Sequence, residues 1–166
     1  MSCTEITVRH DLRPGDLGRV VELHGVVYAA EFGLDHSFEA YAAETVADVG
    51  RQWRPERDRL WLAEVDGRLV GCVGILGRDD DQAQLRWFLV DPSLRGRGLG
   101  RRLLSDAIAF CRAADYKSIF LWTADCCVDA ARLYVAAGFR RSEVKPPGTM
   151  GSKPVVEERY DLALPM

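Results

Sequence analysis

The stretch Leu89-Val90-Asp91-Pro92-Ser93-Leu94-Arg95-Gly96-Arg97-Gly98-Leu99-Gly100-Arg101-Arg102-Leu103-Leu104 decides how this chain is read. An apolar strand end runs into a proline-broken turn, then into a loop where glycine alternates with arginine and leucine, then into a helix. Without a Cβ, the glycine backbone can come close to a ligand. The first N–H groups of the helix have no partner inside it and lie at the positive end of its dipole. Arg95, Arg97, Arg101 and Arg102 add positive charge. The pattern predicts a socket for a phosphate or diphosphate.

Two phosphate-binding patterns do not fit. The triphosphate loop G-x-x-x-x-G-K-[ST] fails because no lysine follows these glycines. The dinucleotide fingerprint G-x-G-x-x-G fails because, counted from Gly96, its last glycine position holds Arg101. The pattern [RQ]-x-x-G-x-[GA] does fit, filled by Arg95, Gly98 and Gly100, with Gly96 as an additional glycine.

Outward from the loop, Ile6 and Val8 alternate with polar neighbours and predict a short first strand. Pro14-Gly15-Asp16 opens a helix with Leu17, Val20, Val21, Val27 and Tyr28 on one face, ended by Gly33. Ser37 is expected to cap a second helix carrying Phe38, Tyr41, Ala42, Thr45, Val46 and Val49. Asp66-Gly67 between the apolar runs 60–65 and 69–76 predicts a hairpin, with Gly71 and Gly74 marking a bulge or close packing. A polar turn leads into a third strand, 83–90. After the glycine loop come a helix with Leu99, Leu103, Leu104, Ala107, Ile108, Cys111 and Ala114 inward, a strand 118–123, a helix 128–137 closed by Gly138, and strands 139–145 and 155–162 around a Pro/Gly loop expected to be mobile. Three consecutive strands in the order β-α-α-β-β-β-α-β-α-β-β argue against a doubly wound parallel sheet and for a mixed α+β fold.

The glycine-loop pattern and this element order resemble the GNAT (N-acetyltransferase) superfamily over almost the whole chain. The resemblance implies a central, mostly antiparallel splayed sheet of about seven strands with four helices. The pantetheine arm of coenzyme A would lie between strands 83–90 and 118–123. It implies an acetyl-CoA-dependent N-acetyltransferase that moves an acetyl group to an amine by direct attack. Gly96, Gly98 and Gly100 would offer N–H groups to the diphosphate, with Arg95, Arg97 and Arg101 as charge partners. The backbone of Leu89 and Val90 would pair with pantetheine amides, and an N–H near Leu89 would serve the developing oxyanion. Arg132-Leu133-Tyr134-Val135-Ala136-Ala137-Gly138-Phe139 resembles the family's L-Y-x-x-x-G-F segment. Tyr134 is thereby expected to hydrogen-bond the leaving sulfur, the alternative being a core aromatic.

Two departures from the family pattern stand out. Cys127 occupies the position, seven residues before Tyr134, where an Asn is frequent, and Gln84 stands where some members place a catalytic Glu. Glu31, His36, Glu44 and Asp125 are substitutes for that base. Glu31 is preferred because it lies at the end of the first helix, where acceptors approach in this fold. The segment 28–35, with Leu121-Trp122-Thr123-Ala124-Asp125, resembles GNAT domains joined to MarR-type regulators, which suggests a stand-alone relative of those domains. That likeness, and the absent strand Glu, also allow a non-catalytic acyl-CoA-binding or regulatory module.

Composition sets the remaining bounds. A chain of 166 residues with 48% hydrophobic and 28% charged residues suits one soluble domain, 1–166. A net charge of -3 argues against a nucleic-acid partner. No apolar run reaches membrane-spanning length, and the first residues carry no signal-peptide pattern. Five cysteines without C-x-x-C spacing fit a reduced, cytoplasmic protein, and no His/Cys/Asp spacing suggests a metal. A homodimer is allowed. His24 is expected buried and hydrogen-bonded, and Arg86 and Trp87 are placed beside the cleft.

Overall fold

The computed structural model describes residues 5–166. Cys3, read above as reduced, lies outside them. Seven strands form one sheet: β1 (Thr7–Arg9), β2 (Arg59–Val65), β3 (Arg68–Gly77), β4 (Gln82–Val90), β5 (Ser118–Ala124), β6 (Arg140–Val144) and β9 (Glu157–Ala163). Their spatial order is β1-β2-β3-β4-β5-β9-β6. Every pairing is antiparallel except β4 with β5. The helices are α1 (Asp16–Phe32), α2 (His36–Arg51), α3 (Leu99–Ala113) and α4 (Val128–Ala136).

The sheet is buried on both faces because its strands are apolar on both. In β2, Leu60 and Leu62 join one core with Val20, Leu23 and Val27 of α1. Trp61 and Ala63 join a second core with Leu99, Leu103, Ala107 and Cys111 of α3. The period of two in β2 therefore serves both layers. Turn chemistry sets the elements as expected at Asp66 and Gly67, which take φ 49° and 76° in the β2–β3 hairpin. It also does so at Gly33, which ends α1 in the left-handed region and donates to Ala29 O.

The start of α2 is a correction. Asp35, not Ser37, is its N-cap, and its carboxylate accepts from Ser37 N at 3.0 Å. A carboxylate at this position satisfies a free helix N–H and meets the helix dipole favourably. The Pro/Gly loop is a second correction. Within it, β7 (Gly148–Met150) and β8 (Lys153–Val155) pair as an antiparallel ribbon.

A buried charge cluster ties β1, α1 and β2 together. Asp16, 2% exposed, accepts from Arg9 Nη1 (2.9 Å), Arg9 Nη2 (2.6 Å) and the Arg13 amide (2.7 Å). Arg9 and Arg19 also reach Glu64, at 2.9 and 2.7 Å. Burial alone pushes the Asp16 carboxyl up, but these donors outweigh it and hold it below its usual range. Removing one member would leave its partners buried and unpaired, at about 3–5 kcal/mol.

Two features of β4 open the sheet. First, β4 pairs with β5 only through Gln82–Ser118, Ala83–Ile119 and Gln84–Phe120, then leaves it, while β5 stays paired with β9 to its end. Second, β4 bulges. Cys72 opposes Leu89 and Gly74 opposes Arg86, so Trp87 and Phe88 stand against the single residue Val73. Trp87 takes φ 51°, a conformation that bulky side chains seldom adopt. The surroundings hold it there: Trp87 Nε1 donates to Thr45 Oγ1 (3.2 Å), and Cys72 Sγ donates to Trp87 O (3.1 Å). A Cβ on Gly74 would lie 2.7 Å from the Trp87 ring, so the bulge requires glycine across from it.

Candidate active site

The split between β4 and β5 opens into two cavities that meet at Tyr28, Phe88, Cys127 and Ala130. One, of about 810 Å³, runs along the end of β4 to the glycine loop. The other, of about 550 Å³, lies between α1, α2, β4 and the β7–β8 ribbon.

The first cavity ends in a set of bare donors. Gly98 is the N-cap of α3, with no side chain capping it, and Arg102 N is the first α3 amide to bond back, to Gly98 O. Among the described residues the consecutive amides from Gly96 to Arg101 have no backbone acceptor. Gly96 and Gly98 take φ 77° and 83°, and a Cβ on either would project into open space. Their glycine requirement is therefore conformational. Gly100 differs, since a Cβ there would meet Leu133 Cδ1 at 3.0 Å and Phe88 Cζ at 3.4 Å. It lets α3 approach α4. A row of free amides at a helix N-terminus suits a doubly charged diphosphate, and nothing in the loop competes for them.

The predicted cofactor residues fall into two groups. Leu89, Val90, Arg95, Gly96, Gly98, Gly100 and Arg101 all line this cavity. Arg97 does not; its side chain is exposed outside it. The Val90 carbonyl is already engaged by Arg95 Nε at 3.0 Å, which draws the arginine into the loop. Beyond Gln84, the β4 edge that faces β5 has no strand partner, so its main-chain groups are open to the cavity.

Glu31 is placed differently from the expectation. Its Oε1 lies 2.6 Å from Arg95 Nη2, and it lines the first cavity, where the cofactor is expected, not the second, the candidate acceptor cavity. That oxygen is engaged by Arg95 and lies in the cavity that ends at the glycine loop, not in the one lined by Tyr134, so a base role for Glu31 is not what this geometry favours. Of the other substitutes, His36 and Glu44 are exposed and away from both cavities, and Asp125 Oδ1 accepts from Val156 N at 3.0 Å.

Tyr134 stands at the wall of the acceptor cavity, 4% exposed, among the rings of Phe88, Phe139 and Tyr160. Its hydroxyl has no hydrogen-bond partner among the described residues, yet it is not a shut-off buried atom. Burial, with a smaller contribution from Cys127, pushes this phenol upward, so it stays protonated and able to donate. Cys127 Sγ is 3.7 Å from the Tyr28 hydroxyl where the cavities join.

His24 is a member of the site that the sequence placed only in the core. It is 6% exposed and lines the acceptor cavity. Its Nδ1 lies 2.8 Å from Val20 O, a group that can only accept. Nδ1 therefore carries the proton and Nε2 keeps its lone pair. Burial holds the imidazole down to about 4, against an ordinary value of 6.5, so it is neutral at physiological pH. The signal available in the sequence was its position on the sheet-facing stripe of α1.

Comparison with known proteins agrees with this geometry. A model of the acetyltransferase (GNAT) family matches residues 22–139. The chain is 32% identical over 142 residues to a Xenopus laevis protein named probable N-acetyltransferase camello, covering 79% of this chain and 65% of that one. It is 34% identical over 98 residues to the N-acetylaspartate synthetase of Danio rerio, covering 58% and 35%. The chain thus spans between about a third and two thirds of the length of these relatives. In fold it is similar to a GNAT-family acetyltransferase from Staphylococcus aureus, with TM-score 0.78, 20% identity, and 97% and 100% of the two chains covered. It is also similar to one from Elizabethkingia anophelis with acetyl-CoA bound, with TM-score 0.64, 17% identity, and 96% and 98% covered. The open row of amides at the head of α3 and the parted strands β4 and β5 thus sit in a chain that belongs to the acetyltransferase (GNAT) family.

Proposed function

We propose that this protein is an acetyl-CoA-dependent N-acetyltransferase acting on an amine. The observation that carries the reading is the run of unpartnered amides from Gly96 to Arg101, opening onto a cavity that leads to Tyr134. The Elizabethkingia relative, which has acetyl-CoA bound, and the N-acetyltransferases among the relatives support it. When bound, acetyl-CoA supplies a thioester: the amine nitrogen bonds the acyl carbon, the C–S bond breaks, the amine gives up a proton and the sulfur ends as a thiol.

The chain's own residues then divide the work. The 96–101 amides, Arg95 and Arg101 hold the diphosphate. The open edge of β4 near Leu89 orients the pantetheine arm and provides an N–H for the developing oxyanion. Tyr134 donates a hydrogen bond to the departing sulfur. Because a phenol of about 10 is a weaker acid than a thiol of about 8.5, and burial widens the gap, the hydrogen bond and not full proton transfer is the contribution. His24 Nε2 accepts a hydrogen bond from the amine and aims its lone pair. The proton itself leaves to water, since an alkyl amine of about 10.4 is far more basic than His24.

We read Glu31 as a counter-charge that pins Arg95 before the cofactor arrives. We infer a cytoplasmic setting from the cysteine spacing in the sequence, five cysteines without C-x-x-C. Calorimetry with coenzyme A and thiol release with an amine panel test the reading. Heat of binding together with amine-dependent thiol is the expected result, and binding without thiol from any amine would leave only an acyl-CoA-binding module.

A further inference from the structure

Among the described residues, no carboxylate answers one positive charge in the cavity proposed for the acceptor. Arg86 lines it and lies over the face of Trp87, 5.5 Å from the ring centre, with no hydrogen bond or ion pair among the described residues. Arg59 also lies only over a ring, that of Phe110, but outside this cavity, whereas Arg57 is engaged by Ala114 O, Arg95 by Val90 O and Glu31, and Arg159 by Asp161. The one carboxylate in the same cavity, Glu157, is already bound to Lys145 at 3.0 Å, and Lys145 lies over Trp122. The cavity therefore keeps one unmatched guanidinium.

Gln84 sits two residues along β4 from Arg86. It is 8% exposed and lines the same cavity. Its Oε1 accepts from Arg78 Nε at 2.7 Å and from Arg78 Nη2. Only an oxygen can accept both, so the amide is oriented, and its NH2 is left for the cavity with no described partner. A nine-tenths buried donor aimed beside a free guanidinium, with a second guanidinium behind it, is matched by an anionic oxygen pair and opposed by a cation. Phe38, Tyr28, Trp87 and Trp122 supply apolar walls.

We propose that the acceptor is an amine that also bears a carboxylate, an amino acid with an apolar or aromatic side chain, whose carboxylate docks on Arg86 and Gln84. The proposal rests on the acetyl-transfer reading above and names the acceptor that it left open. It excludes polyamines as preferred acceptors, because their second charge would meet Arg86, and protein lysines, because they bring no carboxylate to it.

The test compares L-phenylalanine with phenethylamine, which lacks only the carboxylate, and with spermidine, in the wild type and in Arg86→Met and Arg86→Lys. Wild-type kcat/KM for L-phenylalanine should exceed that for phenethylamine by at least about 10-fold, with spermidine lowest, as a charge-assisted pair implies. Arg86→Met should bring the two substrates within about 3-fold of each other, mainly through KM, and Arg86→Lys should fall between. Equal or better use of phenethylamine or spermidine by the wild type, or a preference that survives Arg86→Met, overturns the proposal. A second readout needs no turnover: quenching of Trp87 and Trp122 by N-acetyl-L-phenylalanine against N-acetylphenethylamine. Tighter binding of the acid, lost in Arg86→Met, supports the dock, and equal binding overturns it. No coenzyme A heat and no thiol from any amine would sink the acetyl-transfer reading alone, with the quenching experiment still deciding the carboxylate dock.

Discussion

Replacing His24 by Leu should remove a pH-dependence of stability that the wild type carries between pH 6.5 and about 4. In the folded protein burial lowers the imidazole from 6.5 to about 4, whereas the unfolded chain keeps the ordinary value. Between those limits the unfolded state binds more protons, so stability rises with pH. The contribution is fully present above about 6.5, falls as the pH drops and is gone by about 4. At about 1.4 kcal/mol per pH unit the whole loss is about 3 kcal/mol. His24 is 6% exposed, so solvent screening takes little from this figure. Leucine fits the apolar surroundings, and Val20 O keeps its place in the α1 ladder. Urea midpoints at pH 7.5, 6.0 and 5.0 read the effect. The carboxylates Asp16 and Glu64 sit below their usual range in the folded protein, and above pH 5 their unfolded counterparts are almost fully ionised too, so they add little slope in that window. Wild type should lose about 1.5–2 kcal/mol between pH 7.5 and 5.0, and His24→Leu only a few tenths. An equal loss in both proteins would refute the burial argument, as would an imidazole NMR titration near 6.5 for His24.

Gly98→Glu should abolish detectable coenzyme A binding by calorimetry, because it forces a non-glycine residue to φ 83° and sets a carboxylate against the amides that hold the anion. Thermal unfolding should show the fold retained, since a Cβ there meets nothing. Tyr134→Phe should lower kcat about 10- to 100-fold with little change in coenzyme A affinity. Its stability cost should stay under about 1 kcal/mol, because the hydroxyl has no protein partner to lose; an unchanged kcat would remove Tyr134 from the mechanism. Glu31→Gln should leave kcat within about 2-fold and tighten coenzyme A binding about 2- to 5-fold by freeing Arg95. A kcat loss beyond about 100-fold would instead restore Glu31 as a base.

What could be read from the sequence was what local backbone chemistry dictates. The glycine loop, the Asp66-Gly67 hairpin and the Gly33 and Gly138 stops all announce themselves, because each needs a conformation or an unpaired amide that few residue types tolerate. The α2 start was misread because Asp35 and Ser37 are both good caps, and the choice falls to the one whose side chain reaches the amide two residues on. The β7–β8 ribbon was missed because two three-residue strands leave no alternation to detect. Site roles set by distant pairs were out of reach. Glu31 meets Arg95 across 64 positions, a pairing that no local pattern announces. Gln84 resembles a lost carboxylate until Arg78 is seen orienting its amide. His24 could be placed in the core, but not against a cavity, because that depends on where β4 leaves β5.

The β4 bulge has a consequence for redesign. Arg86 and Gln84, on one side of Trp87, line the cavity proposed for the acceptor, while Leu89 and Val90, on the other, line the groove proposed for the cofactor. Both surfaces ride on one rail, and the kink at Trp87 sets their relative pitch. A mutation that relaxed this kink would retune substrate choice and cofactor grip at once, with no way to adjust either alone. Specificity is better re-engineered from Tyr41, Trp122 or the 148–155 ribbon, which touch the acceptor chamber without bearing on the groove.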